Sequence, residues 1–202
     1  IYDTGNRPLR LWARNTTGQP VTARQRFVYG DDAGIANPEA LNLNGRIHRH
    51  FDEAGVIQVA RFDFRGNMLR LTRRVLSDSE FLSVMGGPEF VPYQVDWDRP
   101  DQEAALDPQI YETDTTFDAL NRIKRITFPR DVTNDRKVLV PFYGRNNVLE
   151  RMNILEQNES VDRPFIVHIA YDARGHRGLI AYGNGVMTRY AYDPTNFAIS
   201  RI

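Results

Sequence analysis

Six times along the chain a tyrosine or phenylalanine is followed by aspartate, and each time the residue three places beyond that aspartate is glycine or asparagine. The pairs are Tyr2-Asp3, Phe51-Asp52, Phe62-Asp63, Phe117-Asp118, Tyr171-Asp172 and Tyr192-Asp193; the third residues on are Asn6, Gly55, Gly66, Asn121, Gly175 and Asn196. With 14 Gly and 14 Asn in 202 positions, six independent coincidences have a chance of roughly one in 10⁵, so the pattern is an internal repeat. Gly and Asn are the residue types that enter the left-handed backbone region most readily. An aspartate at a corner accepts a hydrogen bond from the backbone two residues on, two residues follow in right-handed geometry, and Gly or Asn takes positive φ to form a G1 bulge. The unit predicts a β-hairpin corner, with Asp52, Asp63, Asp118, Asp172 and Asp193 as acceptors and Gly55, Gly66, Asn121, Gly175 and Asn196 at positive φ. The aromatic ends the incoming strand, and Tyr171, Tyr190 and Tyr192 are expected to pack on the sheet.

The spacing agrees with strand-plus-turn units: Asp52 to Asp63 is 11 residues and Asp172 to Asp193 is 21, about one and two such units. The longer gap holds Gly183-Asn184-Gly185, where Asn184-Gly185 signals a tight primed turn. Tyr143-Gly144-Arg145-Asn146-Asn147 reads as a degenerate unit with Gly in the Asp position. Between corners, apolar and polar residues alternate: Phe165, Val167, Ile169 and Tyr171 would share one strand face, with Ile166, His168 and Ala170 opposite. Val186, Thr188, Tyr190 and Tyr192 repeat the arrangement. Asn67 to Phe81 is the best helix candidate, although Leu71 to Val75 fits a strand equally. Gly86-Gly87-Pro88 and the acidic stretch Asp96 to Pro108 suggest an irregular surface excursion. The expected organisation is a strand-rich segment over 1–78, the excursion over 79–110 and a second repeat segment over 111–202.

Composition bounds the alternatives. Lys and Arg number 26 and Asp and Glu 26, so no global field draws the chain to nucleic acid or anionic lipid. The absence of cysteine removes disulfides, thiolate metal sites and a Cys nucleophile. Apolar runs such as Val138-Leu139-Val140 fall far short of the roughly 20 residues a spanning helix needs, so no membrane insertion by this segment is expected. With no initiating Met and a strand-like run at Ile202, the sequence reads as a fragment.

The repeat residues are those of the Tyr-Asp (YD) or RHS repeat, and the likeness extends beyond them. Phe165 through Tyr171-Asp172-Ala173-Arg174-Gly175-His176-Arg177, continuing through Ile180-Ala181-Tyr182-Gly183-Asn184-Gly185-Val186 to Tyr192-Asp193-Pro194, resembles a segment shared by B components of insecticidal Tc toxin complexes and related SpvB/RHS proteins. Leu43 through His50-Phe51-Asp52 to Val56, Phe62-Asp63-Phe64-Arg65-Gly66-Asn67-Met68-Leu69 and Thr116-Phe117-Asp118-Ala119-Leu120-Asn121-Arg122 resemble the same proteins in the same order. The resemblance runs from about Phe27 to Ile202 and is weakest over Ser79 to Gln109. It implies an all-β fold of antiparallel hairpin repeats in a twisted, curved sheet, part of a larger hollow shell enclosing a C-terminal toxic effector. It also implies a secreted bacterial protein whose partners are the remainder of the same polypeptide, the enclosed effector and other Tc toxin subunits. That family's autoproteolytic aspartates lie downstream of the shell and have no matching motif here, so neither catalysis nor a cofactor is expected of this segment.

Other constellations have simpler explanations. His48, His50 and Asp52 alternate on one strand face and would offer two imidazoles and a carboxylate to a metal, but Asp52 is claimed by the corner motif and Arg46 and Arg49 add positive charge. The repeated aspartates have a local role that general acid–base catalysis does not supply. Gly183-Asn184-Gly185 opens no helix and lacks the pattern of a phosphate loop. Arg70 to Arg74 and Arg122 to Arg130, near Phe117 and Phe128, would suit a nucleic-acid groove, yet the interspersed acids favour a salt-bridged face. Asn15-Thr16-Thr17 and Asn158-Glu159-Ser160 match the glycosylation sequon, which matters only in a eukaryotic secretory pathway. The rival functional class is a cell-surface YD-repeat module that binds carbohydrate or protein through exposed aromatics.

Overall fold

The computed structural model describes residues 1–85, 92–156 and 163–202. The chain divides into two compact units, Ile1–Thr113 and Asp114–Ile202. In the first, β1 (Arg10–Ala13), β2 (Thr22–Tyr29), β3 (Ile47–Asp52), β4 (Gly55–Phe62) and β5 (Met68–Val75) precede α1 (Asp78–Met85). Each strand pairs antiparallel with its sequence neighbour, in the order β1-β2-β3-β4-β5. The unit boundary falls inside β6 (Tyr111–Phe117). After it come β7 (Ile123–Arg130), β8 (Arg136–Tyr143), β9 (Leu149–Glu156), β10 (Arg163–Tyr171), β11 (Arg177–Tyr182) and β12 (Met187–Arg189). These again pair in sequence order, and β13 (Ala191–Tyr192) pairs separately with β14 (Ile199–Arg201). Among the described residues neither sheet closes on itself. The fold is the open antiparallel hairpin sheet expected from the repeat.

Consecutive pairing is what short corners enforce: a chain that turns back within three or four residues has only its predecessor to bond to. Residues 68–75 are a strand, not part of a helix, because they pair with β4 from Gly55↔Val75 to Phe62↔Met68. The helix begins only at Asp78.

The stretch read as a surface excursion contributes four buried side chains to the core of the first unit. Val95, Trp97, Ala105 and Leu106 pack with Ala23, Phe51, Val56 and Leu76. Trp97 is 0% exposed, tilts against Phe51 at 5.0 Å and donates its indole N–H to the Asp52 carbonyl at 3.0 Å. Its backbone N–H reaches the Ala23 carbonyl at 2.9 Å, and the Asp96 carboxylate accepts the Ala23 N–H at 3.1 Å. An apolar sheet face must be covered by something, and here an irregular segment carrying Trp97, with Tyr93 packed beside it, does the covering. Gly86-Gly87-Pro88 lie outside the described residues.

In the second unit Ile166, Ile169 and Ile180 form the core, with Leu149, Met152, Tyr171, Tyr182 and Tyr190 packed against them. This corrects the simple alternation along β10. A register shift between Ile166 and His168 puts two core residues three apart and leaves Phe165 and Val167 exposed, since a bulge resets which face a side chain takes. The second alternating run is likewise interrupted, as β12 ends at Arg189 and β13 starts at Ala191.

Candidate functional site: columns of hairpin corners

Every predicted corner aspartate accepts the backbone N–H two residues on. The bonds run from Gly5 to Asp3 (2.9 Å), Ala54 to Asp52 (2.8 Å), Arg65 to Asp63 (2.9 Å), Leu120 to Asp118 (2.9 Å), Arg174 to Asp172 (2.9 Å) and Thr195 to Asp193 (2.7 Å). Positive φ occurs at Asn6 (60°), Gly55 (132°), Gly66 (94°), Asn121 (64°) and Gly175 (86°). Register shifts fall on the aromatic before the aspartate at Phe62, Phe117 and Tyr171, where a G1 bulge belongs. The degenerate unit behaves alike: Asn147 has φ 66° and its N–H bonds the Gly144 carbonyl at 3.0 Å.

Three corners depart from the expected geometry. At the Asp193 corner the positive φ belongs to Phe197 (59°), not Asn196. The Asp193 N–H bonds the Ala198 carbonyl at 2.8 Å, so this loop is one residue longer and the left-handed position moves on by one. Asn196 instead donates its N–H to Asp193 and accepts from the Ala198 N–H at 2.9 Å. At Asp52 the corner is a two-residue loop with Asp52 facing Gly55 directly. At Asn184-Gly185 only Gly185 has positive φ (83°), whereas a primed type I′ turn needs both central residues there. The bonds Tyr182 N–H to Val186 carbonyl (2.9 Å) and Gly185 N–H to Tyr182 carbonyl (3.1 Å) make it another bulged corner, with Tyr182 in the aspartate position.

A corner absent from the repeat search stands at Asp131. Its carboxylate accepts from the Thr133 N–H at 2.9 Å, and Asn134 has φ 66°. Arg130 precedes it, so a search demanding an aromatic misses it. Dropping the aromatic finds it together with Asp31-Asp32-Ala33-Gly34, whose first carboxylate serves Arg7 and the Gly45 N–H instead.

Successive corners on one edge are latched together by the two residues that follow each bulge. The side chain four places after the corner residue returns to its second carboxylate oxygen: Arg7 to Asp3 (2.6 Å), Asn67 to Asp63 (2.8 Å), Arg122 to Asp118 (2.7 Å) and His176 to Asp172 (3.0 Å). Three of these then lie against the aromatic of the next corner on that edge: Arg7 over Tyr29 at 4.2 Å, Arg122 over Tyr143 at 4.5 Å and His176 stacked on Tyr192 at 4.8 Å. The carbonyl five places after the corner accepts that tyrosine's hydroxyl: Pro8 from Tyr29 (3.1 Å), Ile123 from Tyr143 (3.0 Å), Leu149 from Tyr171 (2.8 Å) and Arg177 from Tyr192 (3.0 Å). Arg46 over Phe62 at 4.9 Å is the same contact without a hydroxyl. The sequence signal for this latch is the choice of Tyr over Phe, and it becomes readable only once same-edge neighbours are known.

The hydrogen bonds stabilise the ionised carboxylates. Asp131 is held at about 2, first by the Thr133 hydroxyl and then by the Asp135 N–H. Asp118 and Asp172 lie below their ordinary value chiefly through the N–H groups of Arg122 and His176, Asp193 through Thr195, and Asp63 through the Asn67 side chain. At Asp52 burial opposes ionisation but is outweighed by the Arg73 guanidinium at 2.8 Å and the Ala54 N–H. A carboxyl depressed in the fold contributes stability above its unfolded value that is lost as pH falls through the folded value, so both units should loosen between about pH 4 and pH 2. Melting temperature followed by circular dichroism at stepped pH checks this; a constant value across that range would contradict it.

Of the other candidates, His48 bonds the Val59 carbonyl at 2.9 Å, His50 stacks on Phe27 at 4.5 Å, and burial pushes both imidazoles down. Among the described residues no three His, Cys, Asp or Glu side chains are grouped to hold a metal. Arg73 pairs with Asp52, Arg74 with Glu103 and Arg122 with Asp118. Asn15 accepts from the Arg24 guanidinium; Asn158-Glu159-Ser160 lie outside the described residues.

Gly175 has φ 86° and open space where a Cβ would sit. Gly175→Val is therefore expected to cost about 1–3 kcal/mol through backbone strain alone, read by urea unfolding, whereas Gly175→Asn should be nearly neutral because Asn already fills this position at Asn121.

Hairpins added in sequence order, most of them bent at an Asx corner and several latched to the preceding corner on the same edge, form a sheet of the YD/RHS-repeat type. Among solved structures the chain matches a Photorhabdus luminescens Tc holotoxin pore with TM-score 0.72 and 21% identity, over 98% of this chain and 8% of that one. It matches TcdB2-TccC3 without the hypervariable C-terminal region with TM-score 0.70 and 22% identity, over 98% and 9%. It is 25% identical over 190 residues to toxin subunit YenC2 of Yersinia entomophaga, covering 93% of this chain and 18% of that protein. No protein-family model matches. The chain is thus similar in fold to RHS-type segments of Tc toxin complexes and similar in sequence to a toxin subunit, and it spans under a fifth of the length of that relative.

Proposed function

We propose that residues 1–202 are a stretch of wall in a secreted RHS shell, which encloses a C-terminal toxic effector and helps deliver it, with no catalysis of its own. The observation that carries this reading is the strictly sequential strand order within each unit. Such a sheet lengthens hairpin by hairpin without closing, so it can extend into a casing of any size, and corners that share an edge fasten to one another at Tyr29, Tyr143, Tyr171 and Tyr192. The coverage of 18% of YenC2 supports a segment acting within a longer polypeptide. Its partners are then the rest of that polypeptide, the effector and other Tc toxin subunits. The corner aspartates support a non-enzymatic role, since each is engaged by its own turn's N–H groups and those at Asp63, Asp118 and Asp172 also by a side chain.

Protease protection tests the proposal. In the polypeptide carrying this segment, the region C-terminal to the repeats should survive proteinase K under native conditions, and an Asp118→Ala/Asp172→Ala double variant should lose that protection. Digestion of the wild-type C-terminal region as fast as the isolated region would overturn it.

A further inference from the structure

The basic run Arg122 to Arg130 is salt-bridged only in part. Arg122 pairs with Asp118 and Arg136 takes Asp114, while the Glu150 carboxylate lies over Gly144. Among the described residues no carboxylate pairs with Arg125 on β7 or Arg151 on β9, and both are exposed. Cross-strand partners share a sheet face. Arg151 stands opposite Phe142 and Asn153 opposite Val140, and the register Ile126↔Leu139, carried one residue on, sets Arg125 against Val140. Arg125, Val140, Phe142 and Arg151 therefore lie on one face, with β8 between the two arginines. Two strand spacings and an offset of two residues put the arginine Cα atoms about 12 Å apart. The Arg151 guanidinium sits 3.7 Å from the centre of the Phe142 ring, and a guanidinium held there keeps the N–H donors at its rim for an anion. The hollow at this place, about 620 Å³, is lined in part by Phe117, Lys124, Arg125, Val140, Pro141 and Phe142.

We infer that this face of β7, β8 and β9 docks an extended acidic peptide in which two carboxylates, four residues apart, flank an apolar side chain. In an extended chain residues i, i+2 and i+4 share a face and the outer two are about 13 Å apart, which matches the spacing of Arg125 and Arg151. The carboxylates take the two guanidiniums in charge-assisted hydrogen bonds, and the apolar residue settles on Val140 and Phe142. Charge complementarity names the occupant: two cations without acids, separated by an apolar floor, call for two acids separated by an apolar group. A nucleic-acid strand fits worse. Phe142 already carries Arg151 on its ring and offers no stacking platform to a base, and a chain of balanced charge supplies no field for a polyanion. The docking face lies wholly within the second unit and holds whether or not the sheet encloses anything.

Fluorescence anisotropy with the full 202-residue chain tests the inference. The probe is a labelled serine heptapeptide with glutamate at its second and sixth positions and leucine at its fourth. At about 50 mM salt it should bind saturably, and Arg125→Glu/Arg151→Glu should weaken binding about tenfold. Glutamines in place of the glutamates should do the same, and serine in place of leucine should weaken it several-fold. In the unaltered chain the peptide should shift the amide resonances of Arg125, Val140, Phe142 and Arg151, a readout that needs no variant. No saturable binding up to about 1 mM peptide, undiminished binding by the double variant or by the glutamine peptide, or shifts confined to other residues would overturn the inference. So would a thymidine oligonucleotide that shifts the same four amides at lower concentration than the peptide does.

Discussion

Unfolding of a Trp97→Ala variant should show a loss of about 3–5 kcal/mol, the range for truncating a fully buried tryptophan. Trp97 has no exposed surface, and the substitution opens a cavity beneath Phe51 while orphaning the Asp52 carbonyl that now accepts the indole N–H. The loss is confined to the first unit, because the cluster around Trp97 draws every member from it. Urea titration followed by intrinsic fluorescence and by amide exchange gives both magnitude and location. A change below about 1 kcal/mol would mean that the segment lies loosely on the sheet and contributes little.

Gly55→Ala is the second large effect. A Cβ at Gly55 would sit 2.2 Å from the Arg74 carbonyl oxygen and 2.8 Å from the Val75 Cα, and φ is already 132°. Backbone cannot yield as a side-chain tip does, so overpacking adds to conformational strain for a total of roughly 3 kcal/mol or more. The contrast with Gly175→Ala, where only strain applies, is the informative measurement. Two glycines from one repeat position are required for different reasons, and comparable losses at both would contradict the close approach of β5 to the Asp52 corner.

The repeat made the architecture legible before any coordinates because its chemistry is local: an aspartate two residues from an N–H, and a Gly or Asn where φ turns positive, need nothing from the rest of the chain. That is why Asp63, Asp118 and Asp172 fall where the sequence puts them. Asn196 was illegible because a loop of one extra residue satisfies the same aspartate and shifts the left-handed position onto Phe197, a type that no turn rule would choose. The facing of β10 was illegible because one bulge moves Ile169 to the side of Ile166. Trp97 was hidden by its surroundings: a stretch of Asp, Arg and Pro reads as solvated, yet one tryptophan with Val95 and Leu106 is enough to roof a sheet. The latch could not be read because it depends on which corners share an edge. Once that is known, Tyr29, Tyr143, Tyr171 and Tyr192 separate from Phe51 and Phe117 by the carbonyl waiting for their hydroxyl.

An electron cryo-microscopy map of the polypeptide that contains these residues tests the proposed role most directly. The account predicts that residues 1–202 lie in the shell wall, strands in sequence order, with one sheet face turned toward a closed lumen holding the C-terminal region. A map that shows these hairpins outside any enclosure, or the C-terminal region lying free of the lumen, would contradict it.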